Sequence, residues 1–191
     1  MTPSMDLDER LRRCLDPADT GWTPTALRHA AVLCPVVEHA GEDHLLFVVR
    51  PAALRQHGGQ IAFPGGMRDG DETPLATALR ECREEIAAPA EAIAVLGSLP
   101  SRESSSAILV HCLVGRLQPV ALVPDAREVT RILRIPLAML LDTQRWSERT
   151  PPPTATGRQP RSSPHFEFGS DLLWGLTARF VRDLAARLAA R

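Results

Sequence analysis

Two apolar runs separated by a short polar segment stand out in the first third of the chain. Residues 29–37 are almost continuously apolar, and residues 45–49 follow after Gly41-Glu42-Asp43. Apolar runs of this length, bounded by turn-forming residues, are typical of buried strands joined in a hairpin. The same pattern predicts three further strands, at 60–63, 93–99 and 107–117.

Helical spacing marks four other segments. Residues 6–15 place their apolar side chains on one side, which predicts a short amphipathic helix. Residues 74–86 follow Thr73, a good N-cap, and begin with a proline suited to the first turn. A short helix is expected at 136–141, also with proline at its first position. A C-terminal helix is expected over 176–190, because Leu176, Phe180, Leu184 and Leu188 recur every four residues.

The spacing of these elements indicates a single folded domain. A chain of 191 residues is long enough to bury a substantial core. We place an N-terminal extension with its short helix at 1–24 and the main domain at 25–191. Residues 147–164 are rich in proline, serine, threonine and glycine, which predicts a loop within that domain.

Composition narrows the possible functions. The formal net charge is −1, so nucleic-acid binding through a general basic field is not expected. All 22 basic residues are arginine, and the absence of lysine excludes Schiff-base chemistry and a Walker-type phosphate loop. The four cysteines are scattered, and neither a signal peptide nor a membrane span is visible. We therefore expect a cytoplasmic protein with no membrane partner.

Candidate chemistry concentrates on the helix expected at 74–86. With Glu81 at 0° and ~100° per residue, Glu84 falls near ~300° and Glu85 near ~40°. Three carboxylates on an arc of roughly 100° repel one another unless something compensates them. A hard divalent cation does so, because carboxylate oxygens are the ligands that Mg²⁺ and Mn²⁺ prefer.

Neighbouring residues support this interpretation over that of a solvated helix face, which is the usual explanation for a run of Arg and Glu. Arg80 lies beside the cluster and can brace a carboxylate, although it cannot bind a metal ion. Glu72 can pair with Arg80 and hold the preceding loop against the helix. Pro64, Gly65 and Gly66 are expected to stop the strand at 60–63 in a tight turn, where the glycines let the backbone approach the acidic cluster closely.

Residues 66–88, GMRDGDETPLATALRECREEIAA, resemble the Nudix box, Gly-x5-Glu-x7-Arg-Glu-U-x-Glu-Glu-x-Gly-U, in which U is a bulky aliphatic residue. All six polar and glycine positions before the final Gly match. Ala87 replaces that final glycine, and Cys82 and Ala88 are weak aliphatics. If the position requires a positive φ, Ala87 costs stability. The resemblance implies an α+β fold of the Nudix type, an α/β/α sandwich around a mixed β-sheet.

A second resemblance concerns residues 45–66, LLFVVRPAALRQHGGQIAFPGG, which are similar to the motif LLTxR(S/A)-x3-R-x3-G-x3-FPGG of coenzyme A pyrophosphatases. Arg50, Arg55, Gly59 and the segment 63–66 match. Val48 and Pro51 depart from the motif. The segment 101–106, which we expect to be a loop near the substrate, also departs from that subfamily. Residues 174–178 resemble the entry to its final helix, and Glu128-Val129 its middle segment.

These resemblances imply a metal-dependent hydrolase that splits the diphosphate of coenzyme A into 4′-phosphopantetheine and adenosine 3′,5′-bisphosphate. The alternatives are a Nudix pyrophosphatase for ADP-ribose or NADH, and a Nudix binding domain without turnover. A homodimer is possible. The residues expected to take part are Glu81, Glu84 and Glu85 as ligands of Mg²⁺ or Mn²⁺; Arg80 and Glu128 as further catalytic residues; and Arg50, Arg55, His57, Gly65 and Gly66 as substrate-binding residues.

The sequence alone leaves two questions open: which carboxylate is the catalytic base, and what role Trp174 has. Glu81, Glu85 and Glu128 are each candidates for the base that takes a proton from the attacking water. Trp174 is expected to be a packing anchor, with a base-stacking platform as the alternative.

Overall fold

The computed structural model describes residues 6–18, 21–52, 59–150 and 162–190. It contains four helices and ten strands in these segments. In chain order they are α1 (Leu7–Cys14), β1 (Arg28–His39), β2 (Glu42–Val49), β3 (Ile61–Ala62), β4 (Gly65–Met67), α2 (Pro74–Ile86), β5 (Ile93–Glu103), β6 (Ile108–Leu117), β7 (Arg131–Pro136), α3 (Leu137–Leu141), β8 (Trp146–Arg149), β9 (Ser163–Phe168), β10 (Asp171–Trp174) and α4 (Gly175–Ala189). Short 3₁₀ turns lie at Ala90–Ala92 and Thr143–Arg145.

The main sheet has seven strands and is mixed, as predicted. Its central order is β3-β2-β1-β6-β5, with β4 also paired to β1 and β7 to β2. Only the β1–β6 pair is parallel among these. The β1–β2 hairpin is confirmed, but Ala40 and Gly41 form its turn, with φ of 54° and 79°. Glu42 and Asp43, which we expected in the connection, already belong to β2.

Helices cover both faces of this sheet, and the layers are those of the α/β/α sandwich that was predicted. On one face, alternate residues of β1 and β2 pack against α2 through Ala78, Cys82 and Ile86. On the other face they pack against α1, α3, α4 and a small antiparallel sheet of order β10-β9-β8. The apolar stripe of α4 is confirmed, since Phe180, Leu184 and Leu188 are buried.

Several boundaries differ from the predictions. Residues 64–66 were expected to stop a strand in a tight turn, but Gly65 and Gly66 lie in β4, paired with Val32 and Ala31 of β1. Residues 101–103 were expected in a loop, but they continue β5, where Arg102 donates from Nε and Nη2 to the two carboxylate oxygens of Asp183 on α4. The short helix α3 begins one residue later than expected, and Pro136 is its N-cap.

Strands occupy both ends of the proline-rich segment that was predicted as a loop at 147–164. Residues 147–149 belong to β8 and residues 163–164 to β9, which pair with each other. Residues 151–161 lie outside the described residues. The sequence pattern did not predict β7 to β10. These strands are only four to six residues long, and charged side chains interrupt their apolar residues.

The helix α1 is confirmed and packs into the core, where Leu11 is fully buried. It contacts β5 and α4, so the N-terminal segment is in contact with the main domain. The boundary after residue 24 stays a prediction. None of the described helices is long and apolar enough to cross a membrane.

Candidate active site

The helix α2 begins and ends where its sequence predicts. The Thr73 hydroxyl accepts a hydrogen bond from the Ala76 amide at 3.2 Å, and Pro74 occupies the first turn. The helix ends at Ala87, whose φ of 55° and ψ of 28° are left-handed. This conformation favours glycine, so Ala87 carries the strain that the sequence suggested.

Glu85 points into the protein and is only 1% exposed. One carboxylate oxygen, Oε2, accepts a hydrogen bond from the Gly65 amide at 3.0 Å. The other, Oε1, has no hydrogen-bond partner, and the Arg50 guanidinium is 3.6 Å away. Burial raises the pKa of Glu85 to about 7, although the Gly65 amide and Arg50 act in the opposite direction.

Glu81 lies one turn earlier, against the second glycine of β4. A Cβ at Gly66 would overlap the Glu81 carboxylate, so a side chain there would displace this carboxylate from its present position. The Glu81 side chain is 13% exposed, and burial raises its pKa. The buried Glu85 and the partly buried Glu81 thus lie along the same glycine strand, Glu81 beside Gly66 and Glu85 hydrogen-bonded to Gly65.

Arg80 connects the acidic residues of this region. Its Nε and Nη2 bind both oxygens of Glu72, at 2.8 and 3.2 Å, and Nη2 also donates to the Met67 carbonyl at 3.0 Å. Its Nη1 donates to Glu81 at 2.8 Å and to Glu84 at 2.9 Å. The expected Arg80–Glu72 pair is therefore present, and it ties the loop before α2 to the helix.

Glu72 is held in turn by residues that the sequence pattern did not identify. Its Oε2 accepts hydrogen bonds from the Thr77 hydroxyl at 2.9 Å and from the Asp69 amide at 3.3 Å. Its carbonyl accepts a hydrogen bond from the Trp22 indole at 2.6 Å. The Trp22 ring packs at a tilt against His29 and edge-on against His111, and no local spacing could have predicted the bond from Trp22 to Glu72.

Residues 123–130, which precede β7, complete the site at the C-terminal end of α2. The Val123 and Asp125 amides donate to the Ile86 and Glu85 carbonyls, at 3.0 and 2.9 Å, and so satisfy the end of the helix. The Thr130 amide binds the Val49 carbonyl, next to Arg50. Glu128 lies between these anchors, is exposed, and its charge raises the pKa of Glu81 and Glu85.

The residues of this site have the chemistry that a hard divalent cation requires. Carboxylates are suitable ligands, and the buried, unpartnered Oε1 of Glu85 is an acceptor without a donor. Within the described segments, however, no three His, Cys, Asp or Glu side chains are close enough together to enclose a metal ion. Arg80 Nη1 lies between the carboxylates of Glu81 and Glu84, and Glu84 is 57% exposed.

Only some of the other residues considered for the site lie close to Glu85. Arg50 follows β2 directly and its guanidinium lies beside the Glu85 carboxylate, while its role in substrate binding stays a prediction. The Gly65 amide binds Glu85, so it is not available to a substrate. Trp174 is 43% exposed, which is more than a packing anchor should be. Arg55 and His57 lie outside the described residues.

Known proteins resemble this chain in sequence and in fold. The NUDIX domain family matches residues 27–152. An uncharacterized Nudix hydrolase NudL of Photorhabdus laumondii is 39% identical over 163 residues, covering 84% of this chain and 85% of the relative. The NudL of Citrobacter koseri is 37% identical over 196 residues, covering 98% and 97%. The Nudix hydrolase RenU of M. smegmatis has a similar fold, with a TM-score of 0.52 and 23% identity over 66% of this chain and 81% of that one.

Proposed function

The chain belongs to the Nudix hydrolase family, and on this premise we propose that it hydrolyses the diphosphate bond of coenzyme A or acyl-CoA to 4′-phosphopantetheine and adenosine 3′,5′-bisphosphate. The observation that carries the proposal is the position of Arg50. This arginine belongs to the segment that resembles coenzyme A pyrophosphatases, and its guanidinium is 3.6 Å from the buried carboxylate of Glu85. An arginine there can bind substrate phosphate beside the reacting centre.

Members of this family generally use divalent metal ions, and we assign that role to Glu81 and Glu85, with Glu84 joining them. When bound, Mg²⁺ or Mn²⁺ neutralises phosphate charge and lowers the pKa of a bound water. The protein supplies the carboxylates, and the glycine strand fixes two of them: Glu85 through the Gly65 amide and Glu81 through its contact with Gly66. Arg80 orients Glu81 and Glu84 by hydrogen bonds to both.

The attacking water needs a proton acceptor close to the diphosphate. Glu81 and Glu85 are candidates because burial raises the pKa of each, which makes a carboxylate a better base. Glu128 is the third candidate, since it lies near both on an exposed segment. Arg50 and, in our proposal, Arg55 would bind the phosphates of coenzyme A, including its 3′-phosphate, through paired hydrogen bonds.

The proposal is tested by product analysis. Purified protein is incubated with coenzyme A and Mn²⁺, and the products are identified by phosphorus NMR and chromatography. Appearance of 4′-phosphopantetheine and adenosine 3′,5′-bisphosphate, abolished by a chelator, is expected. Parallel reactions with ADP-ribose and NADH separate the coenzyme A assignment from the alternative, and equal or faster turnover of ADP-ribose would reject it.

A variant control shows that the products come from this site. Glu85→Gln should lower kcat by about 1,000-fold or more, because the substitution removes a charge that serves the transition state. Val120→Ala, an exposed apolar residue on the segment between β6 and β7, serves as a control that should retain wild-type turnover.

A further inference from the structure

We propose that Trp174, stacked on His165, is the platform on which the nucleobase of the substrate lies. This inference rests on the proposed function, because it assumes a nucleotide bound at the α2 site. It adds a specificity-determining residue on the layer of the sandwich opposite α2. Its partner, His165, lies outside all of the sequence motifs described above.

The small sheet presents these two rings on its outer face. Along β9 and β10 side chains alternate, and Phe166 and Leu173 are fully buried toward the core. Their neighbours His165 and Trp174 therefore point outward, and they are paired directly across the two strands. Their rings are nearly parallel, with an interplanar angle of 15° and centroids 6.2 Å apart.

Trp174 is unusual in its exposure. At 43% exposure, it is the most exposed Phe or Trp side chain in the described part of the chain. Its neighbours are nevertheless fixed, since the His165 ring binds the Ser163 carbonyl at 2.8 Å and the Gly175 amide binds the Ser163 hydroxyl at 3.2 Å. The structure thus orders the surroundings of a large aromatic ring without burying it.

Trp174 ends β10, which contacts β3, and the next residue lies beside Gln60, which is hydrogen-bonded to the backbone of Arg50. A Cβ placed on Gly175, the residue after Trp174, would be 3.4 Å from the Gln60 side-chain amide. The Gln60 carbonyl in turn accepts a hydrogen bond from the Arg50 amide at 3.1 Å. A second link is the ion pair between Asp171 of β10 and Arg131 of β7, which is paired with Val49 of β2.

This placement suits a nucleoside diphosphate. In such a molecule only a ribose separates the base from the diphosphate, so a base-binding surface should lie close to the phosphate-binding arginine. A flat, exposed indole can stack on a purine, because every nucleobase offers a π-face. The flexible, amide-containing pantetheine arm of coenzyme A has no aromatic face to offer, so we assign the platform to adenine.

The test is a binding measurement that needs no turnover. Titration calorimetry with adenosine 3′,5′-bisphosphate is performed on wild type, Trp174→Ala, Trp174→Phe and His165→Ala. Loss of base stacking should raise the Kd of Trp174→Ala by about 10-fold or more, whereas the aromatic Trp174→Phe should remain within about 3-fold of wild type. His165→Ala should give an intermediate loss, because it removes the ring that supports the indole. Val120→Ala, another exposed apolar residue, should bind like wild type.

Two results would overturn the inference. The first is an unchanged Kd for the nucleotide in Trp174→Ala. The second is a loss of affinity for 4′-phosphopantetheine without a loss for adenosine 3′,5′-bisphosphate, which would assign the ring to the other arm. Should Trp174→Ala fail to fold, equal binding by His165→Ala and wild type is the refuting result. ADP-ribose as a second probe separates the two proposals: weaker binding in Trp174→Ala without coenzyme A turnover in wild type retains the platform and rejects the substrate.

Discussion

Glu85→Gln should stabilise the metal-free protein at the same time as it abolishes activity. The wild-type carboxylate is 1% exposed, has one oxygen without a hydrogen bond, and has its pKa raised from 4.5 to about 7 by burial. At about 1.4 kcal/mol per pH unit, this difference corresponds to about 3 kcal/mol lost on folding when the group is ionised. Glutamine is neutral and its oxygen can still accept the hydrogen bond from Gly65.

The pH dependence gives the direction of the effect. Because the pKa of the folded protein lies above that of the unfolded chain, both states are protonated well below pH 4.5 and the penalty is absent. It grows as the pH rises from about 4.5, where the unfolded chain ionises, and is complete above about 7. The stability advantage of Glu85→Gln should therefore be near zero at pH 4 and reach on the order of 2–3 kcal/mol at pH 8.

The assay is thermal unfolding in a chelator at pH 4, 6 and 8. For a chain of this size the full effect is a Tm higher by about 5–10 °C at pH 8. Glu84→Gln is the matched control, because Glu84 is 57% exposed and its deletion should change Tm by no more than about 2 °C. A Tm of Glu85→Gln at or below wild type at pH 8, or an advantage independent of pH, would refute the reasoning.

Three further predictions concern single positions. Ala87→Gly should raise the free energy of unfolding by about 0.5–1 kcal/mol in urea denaturation, since it relieves a left-handed alanine at the end of α2; an unchanged midpoint contradicts this. Gly66→Ala should lower kcat by about 100-fold, because its Cβ would displace the Glu81 carboxylate, and near-wild-type turnover would show that the carboxylate has room to move. His111→Gln should lessen acid destabilisation: burial, with the neighbouring His29, lowers the pKa of His111, so wild type loses stability as the pH falls below about 6.5. Parallel pH profiles of unfolding for the two proteins would exclude this.

The sequence was most informative where a local pattern decides the structure. The cap at Thr73, the proline that follows it and the spacing of apolar residues were enough to place α2 from its first residue to its last. The strand β4 could not be placed in this way. Its glycines predict a turn, but they form a strand because they pair with Val32 and Ala31 of β1, and at Gly65 the β1 backbone leaves no room for a side chain. That constraint comes from tertiary contact, which local propensity does not contain.

The candidate site shows the same division. Helical geometry placed Glu81, Glu84 and Glu85 on one arc of α2, but it could not tell that Glu85 is buried while Glu84 is exposed. This difference depends on where the sheet lies relative to the helix. The links from Trp22 to the Glu72 carbonyl and from Val123 and Asp125 to the end of α2 span long stretches of sequence, and no periodicity signals them.

Arg80 is anchored mainly by residues other than the proposed metal ligands. It can therefore stay in place when Glu81 and Glu84 bind a cation. Glu72 binds two of its nitrogens, and the Met67 carbonyl binds one of these as well. Only Nη1 contacts Glu81 and Glu84. These two carboxylates can therefore turn toward a cation while the guanidinium keeps three of its five hydrogen bonds. Glu72 therefore anchors the Arg80 guanidinium, whereas the glutamates on α2 are the proposed ligands of the cation. Thr77 and Trp22 hold Glu72 in place through hydrogen bonds that do not involve the proposed metal ligands.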